Sequence, residues 1–270
     1  MRDRIIRIIR EMGGIFVRKH VGRSAAALSY YLTLSVFPFL VCLSTILGFL
    51  NVYEGETFSI LEEVIPSQAF SVIIDFLRYA GGNRSELMLI VGIIAMLTTS
   101  SAAFRSFTGI MTEIQGQSRF SSVWRGIVSF ALSIAFIAAI YVSGLIIITG
   151  RWLVQVFEPH VGVSDFFSHW PWIRFLFLFL LLFGVIFGVY IISAPKETKR
   201  THRLPGALAA SVVLVAASIL YARMISASLR YTLLYGSLAS FVILMIWLYT
   251  CGIILIMGNV FNISLHKQKN

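Results

Sequence analysis

The sequence contains six long apolar stretches without Asp, Glu, Lys or Arg. They cover residues 24–53, 87–104, 126–150, 175–195, 204–222 and 231–266. A helix needs about 20 apolar residues to cross roughly 30 Å of hydrocarbon. The pattern therefore predicts six transmembrane helices, at about 24–53, 87–107, 126–150, 175–195, 204–222 and 236–261. The second charge-free stretch is short, so we expect its helix to continue past Arg105.

The composition excludes a water-soluble globule. Of the 270 residues, 58% are hydrophobic and 13% are charged, whereas soluble domains carry about 25% charged residues. The fold class predicted is therefore all-α, a polytopic membrane protein whose residues 1–270 form a single membrane domain. Both cysteines, Cys42 and Cys251, lie in apolar runs, which argues against a disulfide scaffold and a cysteine zinc site.

The distribution of basic residues predicts that both termini are cytoplasmic. Sixteen of the 22 Lys and Arg residues lie in the N-terminal segment, the second and fourth connections and the tail. Cytoplasmic loops of membrane proteins carry such an excess. The net charge of +10 is then explained by topology and by anionic headgroups. Membrane lipids are the expected partners, and nucleic acid is not, because no aromatic-plus-basic RNA motif is present.

Two regions outside the spans have amphipathic patterns. Within residues 1–23, Ile5, Ile9, Met12 and Phe16 recur at helical spacing among arginines, which predicts an interfacial helix. Its simplest role is an anchor, and a regulatory role is the alternative. The first external connection, residues 54–86, predicts two short amphipathic helices on the outer leaflet.

The sequence contains no recognisable catalytic motif. It lacks a His-Glu-x-x-His pair, a glycine-rich phosphate loop and a nucleophile elbow, each of which carries a defined chemistry. We therefore expect no enzymatic activity, no catalytic or metal-binding residue and no cofactor.

The first candidate for a substrate contact is a charge at membrane depth. If the second span continues, Arg105 lies in its cytoplasmic third, and Glu113 follows about two turns later. Charged side chains in membranes are costly and mark pathways or partners. The functional interpretation is an anion-binding point, for example for a lipid phosphate. The alternative is an arginine that snorkels to the headgroups.

Polar and aromatic positions in the first and last spans are further candidates. The first span carries Ser29, Tyr30 and Ser35 before Pro38, and a proline inside a helix favours a kink. This hydroxyl-rich half fits either the wall of a cavity or tight helix packing. In the last span, Trp247 lies mid-span and faces either the bundle or a cavity. Tyr235 lies near its external end, where an interfacial belt position is the alternative.

Three stretches resemble the signature of a known family. They are AAALSYYLTLSVFPFL at 25–40, Pro205-Gly206-Ala207 and YGSLASFVILMIWLYTCGIILIMGN at 235–259. Over nearly the whole chain the sequence resembles the YihY/BrkB family of bacterial inner-membrane proteins, formerly mislabelled ribonuclease BN. The resemblance implies six spans, cytoplasmic termini and the bacterial cytoplasmic membrane. One departure is Val260, where family members usually carry a glutamate.

The resemblance links the chain to the cell envelope, with transport of an amphipath suspected. We therefore predict a membrane transporter that moves a lipid or another amphipathic envelope substrate. The alternatives are a scaffold for envelope machinery or, less favoured, a membrane enzyme. Small residues such as Gly184 and Gly188 allow close helix contacts, so a homo-oligomer is compatible with the sequence.

Overall fold

A computed structural model describes residues 2–49, 86–116, 122–161, 170–193, 200–227 and 237–267. Over these ranges the chain is all helical. The helices are α1 (Arg2–Arg18), α2 (Val21–Phe49), α3 (Glu86–Gln115), α4 (Ser122–Val161), α5 (Trp170–Ser193), a 3-10 turn (Arg200–Arg203), α6 (Leu204–Ala227) and α7 (Ser237–Lys267).

Six of these helices, α2 to α7, are long and apolar enough to cross a membrane. This confirms the predicted six-span helical class, and α3 continues past Arg105 to Gln115 as expected. The largest difference is α4, which extends to Val161 through residues predicted to be a loop. The helix continues past Arg151 and includes Pro159, so it extends beyond the apolar stretch.

Several predictions are not tested by the described residues. The two amphipathic helices of the first external connection, and Tyr235, lie outside the described residues. The cytoplasmic placement of both termini stays a prediction.

The described chain forms two compact units. The first comprises Met1–Leu34, Thr99–Ser133 and Leu182–Asn270, and the second comprises Ser35–Thr98 and Ile134–Leu181. The prediction of a single membrane domain over residues 1–270 stays a prediction.

The core of the first unit is built around an aromatic pair. Phe107 of α3 and Tyr190 of α5 stack with ring centroids 6.4 Å apart. The Tyr190 hydroxyl donates a hydrogen bond to the Leu255 carbonyl of α7 at 2.6 Å, so its one polar group is satisfied inside the protein. Buried apolar side chains from α1, α2, α3, α6 and α7 surround the pair, among them Ile15, Val21, Leu28, Met111, Ala207, Ile256 and Val260.

Helices α6 and α7 approach each other closely at two glycines. A Cβ added to Gly206 would collide with the Gly258 carbonyl oxygen and lie 2.5 Å from Asn262 Cγ. A Cβ added to Gly258 would lie 2.5 Å from the Tyr190 hydroxyl and 2.7 Å from Ala210 Cβ. Small residues permit such backbone contacts between membrane helices, so neither position has room for a side chain.

The N-terminal helix α1 packs on α7. Ile8 and Ile15 are buried, whereas Ile9, one of the four positions of the predicted interfacial face, is 62% exposed. The apolar arc of α1 is wider than α7 covers, and spacing along one helix does not tell which part of the arc meets a neighbour.

The second unit has a smaller core. Cys42, Met96 and Ile137 are buried together, and Phe39 lies against Tyr141 with ring centroids 5.6 Å apart. A Cβ on Gly92 would come within 3.0 Å of Cys42 Sγ, so α2 and α3 also meet across a glycine.

Candidate functional site

Arg105 lies well inside α3, on an exposed part of its surface. Ten residues separate it from the end of the helix at Gln115, which corresponds to about 15 Å along the axis. Its Nη1 donates a hydrogen bond to Ser101 Oγ at 2.9 Å, and Ser101 is only 2% exposed. A buried hydroxyl therefore holds the guanidinium from one side.

The hydrogen bond fixes the direction of the arginine side chain. Side chains on a helix tilt toward its N-terminus, and Ser101 lies one turn N-terminal to Arg105. The guanidinium therefore points away from the nearer helix end at Gln115.

The exposed side chains of α3 that precede Arg105 are mostly apolar. Leu87 is 70% exposed, Val91 is 56% exposed and Ile94 is 57% exposed. Thr98 is exposed as well, and its hydroxyl donates to the Ala95 carbonyl of its own helix at 2.9 Å. These side chains belong to the second unit, whereas Arg105 belongs to the first.

Glu113 is also exposed on α3, but it lies beyond hydrogen-bonding distance of the arginine. Eight residues along a continuous helix correspond to about 12 Å. The arginine therefore does not form a close ion pair with Glu113, and the two predicted contacts lie at different depths.

Two predicted serines of α2 are buried. Ser29 is 3% exposed and Ser35 is 8% exposed. Ser29 Oγ donates to the Ala26 carbonyl at 2.9 Å, and Thr33 Oγ1 donates to the Ser29 carbonyl at 2.7 Å, so these hydroxyls are satisfied within the helix.

The other two candidates of α2 differ from these serines. Tyr30 is 51% exposed and contacts the Tyr31 ring edge-on at a centroid distance of 5.4 Å. Pro38 is half-buried inside a helix that continues to Phe49. The structure thus places Ser29 and Tyr30 in different surroundings, although they are adjacent in sequence.

Trp247 of α7 is half-buried beside an aromatic neighbour. Its ring centroid is 6.5 Å from that of Tyr221 on α6. The Tyr221 hydroxyl donates a hydrogen bond to the Ile243 carbonyl of α7. This aromatic pair helps to join the last two helices.

A buried polar cluster, made by Arg203, Gly206 and Asn262, was not predicted. Arg203 is 3% exposed, and its Nη1 donates to the Ile191 carbonyl of α5 at 2.7 Å. Asn262 Nδ2 donates to the Arg203 carbonyl at 3.0 Å. Asn262 Oδ1 accepts from the Gly206 backbone N–H at 2.6 Å. The cluster therefore ties the end of α5 and the start of α6 to α7.

This arrangement satisfies helix termini. The last carbonyls and first N–H groups of a helix have no partner within the helix, and a cation near a C-terminus also interacts favourably with the helix dipole. Asn262 could have been suspected, because it and Asn259 interrupt an apolar run. Arg203 could not, because it is one of several basic residues in a connection.

Position 260, where the family glutamate is missing, faces the interior. Val260 is fully buried between two buried asparagines. Asn259 Nδ2 donates to Met111 Sδ at 2.9 Å, a weak acceptor.

Within the described ranges, no three His, Cys, Asp or Glu residues come together as a metal site would require. The rings of His202 and His266 have centroids 4.5 Å apart. Two rings alone do not make a metal site.

The six long apolar helices define a polytopic α-helical membrane protein. The family model described as "Virulence factor BrkB" matches residues 14–270. The chain therefore belongs to the BrkB family, as its sequence resemblance indicated, and it is a multi-pass protein of the bacterial inner membrane.

Individual relatives agree with this membership. The chain is 30% identical over 253 residues to the ribonuclease-like protein YfkH of Bacillus subtilis, which covers 93% of this chain and 92% of that relative. A UPF0761 membrane protein of Aromatoleum aromaticum is 25% identical, over 93% of this chain and 61% of its own length. One of Vibrio parahaemolyticus is 27% identical, over 93% and 79%. No solved structure matches the chain.

Proposed function

We propose that this protein is a non-enzymatic transporter that moves a phospholipid or another anionic amphipath across or within the bacterial inner membrane. The observation that carries the proposal is Arg105, an arginine at membrane depth that points away from the nearer helix end. Ionisable side chains inside a membrane are costly and mark functional sites.

The guanidinium has the chemistry to bind a phosphate. It carries five N–H donors in a planar fork that fits a phosphate through two parallel hydrogen bonds. Among the described contacts of Arg105, the bond to Ser101 uses one of these donors.

Replacement of Arg105 tests the proposal directly. In liposomes that contain the purified protein, we expect Arg105→Ala to lower the translocation rate of a fluorescent phosphatidylglycerol about tenfold or more. This corresponds to the loss of a charge-assisted hydrogen bond worth about 1.5–3 kcal/mol. Arg105→Lys should retain part of the rate, because it keeps the charge but loses the planar fork.

Arg223→Ala is the matched control, because Arg223 is an exposed arginine near the far end of α6. It should transport at the parent rate. Equal rates for Arg105→Ala and the parent would remove Arg105 from the mechanism. No translocation above empty liposomes by the parent would contradict lipid transport and favour the scaffold function.

Ser101 is expected to act as a positioning residue. Ser101→Ala removes the hydrogen bond that directs the guanidinium, which is worth about 0.5–1.5 kcal/mol, so we expect a two- to tenfold lower rate for phosphatidylglycerol. Phosphatidylcholine carries the same phosphodiester group, so its rate should fall by a similar factor. Rates equal to those of the parent would contradict this role.

The control for Ser101 is Ser143→Ala. The Ser143 hydroxyl donates to the Ala139 carbonyl of its own helix at 2.7 Å, so this variant also deletes a hydroxyl but leaves Arg105 untouched. It should preserve both rates and their ratio.

A further inference from the structure

We propose that α1 is a lipid-binding helix that recognises anionic phospholipid headgroups and transmits their contact to α7. The partner is the membrane surface itself. This inference goes beyond the proposed function and does not depend on it, because it concerns residues remote in sequence from Arg105 and a readout other than transport.

The first observation is that α1 has two separate apolar sectors. Successive side chains turn by about 100° around a helix. Ile8, Met12 and Ile15 therefore fall within about 60° of each other, and this sector packs on the bundle: Ile8 is 7% exposed and Ile15 is 8% exposed. Met12 is half-buried beside them.

The second apolar sector is open. Ile6 is 52% exposed, Ile9 is 62% exposed and Val17 is 70% exposed, and the three fall within an arc of about 80°. Gly13 lies in the middle of this arc, and a Cβ added there would meet nothing within 4 Å. Three large aliphatic side chains thus form an uncovered surface next to the covered one.

The third observation is the charge on the remaining side of the helix. Arg7, Arg10 and Arg18 are all exposed and fall within another arc of about 80°. Arg10 borders the open apolar sector next to Val17. Over residues 1–23 the sequence carries seven basic residues against two acidic ones, so this N-terminal segment has a net positive charge.

The position of α1 relative to the first span selects the bilayer as the partner. Only Lys19 and His20 separate α1 from α2, and His20 adopts a left-handed conformation with φ of 49°. A transmembrane span therefore begins directly where α1 ends. At that level an apolar edge meets acyl chains while the neighbouring cationic edge meets phosphates, which is how amphipathic surface helices bind. Arginines near anionic lipids gain further attraction.

The packed sector couples headgroup binding on α1 to the packing of α1 on α7. Ile15 belongs to the same buried core as Ile256 and Val260 of α7. A headgroup that binds the arginines of α1 therefore contacts a helix whose opposite side packs on α7. Anionic lipid is thus expected to stabilise the packing of α1 on α7.

The depth of the open sector can be measured with spin labels. Val17→Cys and Arg10→Cys place a nitroxide on the apolar and basic sectors of the full chain, and both native cysteines are buried. In phosphatidylcholine vesicles with phosphatidylglycerol, the label at Val17 should collide with oxygen more than with a water-soluble nickel reagent. The label at Arg10 should show the reverse. Equal exposure of both labels to the nickel reagent would overturn the proposal.

The charge contribution is tested by lipid competition. The purified parent protein should retain phosphatidylglycerol in preference to phosphatidylcholine when mass spectra are recorded from detergent. In the double variant Arg10→Gln/Arg18→Gln, the ratio of retained phosphatidylglycerol to phosphatidylcholine should fall about fivefold for each arginine removed. Arg223→Gln should leave this ratio unchanged. An unchanged preference in the double variant would overturn the proposal.

A protein partner would give a different result. If a second copy covers the open sector, labels at Val17 of two copies should show strong spin–spin broadening that persists on dilution in lipid. That outcome would replace the lipid surface with a dimer interface and overturn the assignment. The labelling and retention results are independent of translocation, so failure of Arg105→Ala to alter transport would leave them standing.

Discussion

Gly206→Ala is expected to destabilise the first unit by about 3 kcal/mol or more. The new methyl group would collide with the Gly258 carbonyl oxygen, which belongs to the backbone of the neighbouring helix. A flexible side chain could move away at little cost, but a helix backbone cannot move without disturbing its other contacts. Overpacking of this kind costs about 1–3 kcal/mol and occasionally more, and a clash with backbone belongs at the upper end.

The two buried cysteines provide the measurement. Cys251 lies in α7 within the first unit and Cys42 lies in the second. A fluorogenic maleimide reacts with each thiol only after its surroundings open, and mass spectrometry identifies which cysteine has reacted. In Gly206→Ala, the temperature at which Cys251 becomes labelled should fall by roughly 10 °C.

Gly188→Ala is the matched control, because a Cβ at Gly188 would meet nothing within 4 Å. It makes the same chemical change in a helix and should leave the Cys251 transition unchanged or slightly higher, since alanine favours helix over glycine. Equal transitions for Gly206→Ala and Gly188→Ala would show that α6 and α7 do not need the close approach.

The six spans were predictable because a helix that crosses a membrane requires a long run of apolar residues. The charge-free stretches located α2 to α7, and the helix through Arg105 was expected from the short second stretch. The helix ends were less predictable. In α4 the helix passes Arg151 and reaches Val161, because the end of a membrane stretch need not be the end of a helix.

The candidate site was predictable only in part. A charge inside an apolar stretch drew attention to Arg105, but its partner Ser101 could not be chosen among several neighbouring hydroxyls without coordinates. The burial of individual side chains was harder to predict than the candidate residues themselves. Ser29 and Tyr30 are adjacent, yet one is 3% exposed and the other 51% exposed, because the neighbours of a helix, not its sequence, decide which side is covered.

Asn262→Ala is expected to lower the stability of the first unit by about 2–5 kcal/mol. Its side chain accepts from the Gly206 N–H and donates to the Arg203 carbonyl, and it is 5% exposed. The truncation leaves both backbone groups buried without this partner, and each such group costs about 1–3 kcal/mol. The Cys251 labelling temperature should fall by roughly 10 °C.

Asn259→Ala tests whether the destabilisation comes from the lost hydrogen bonds or from the cavity that truncation leaves. Asn259 lies one turn earlier on α7 and is 2% exposed, so the same atoms are removed from a site that is equally buried. Its described bond is to the thioether of Met111, a weak acceptor that costs little to leave unpaired. The loss in Asn259→Ala should therefore be clearly smaller. Equal losses would assign the effect to the cavity, and then the polar cluster would not be what holds α5, α6 and α7 together.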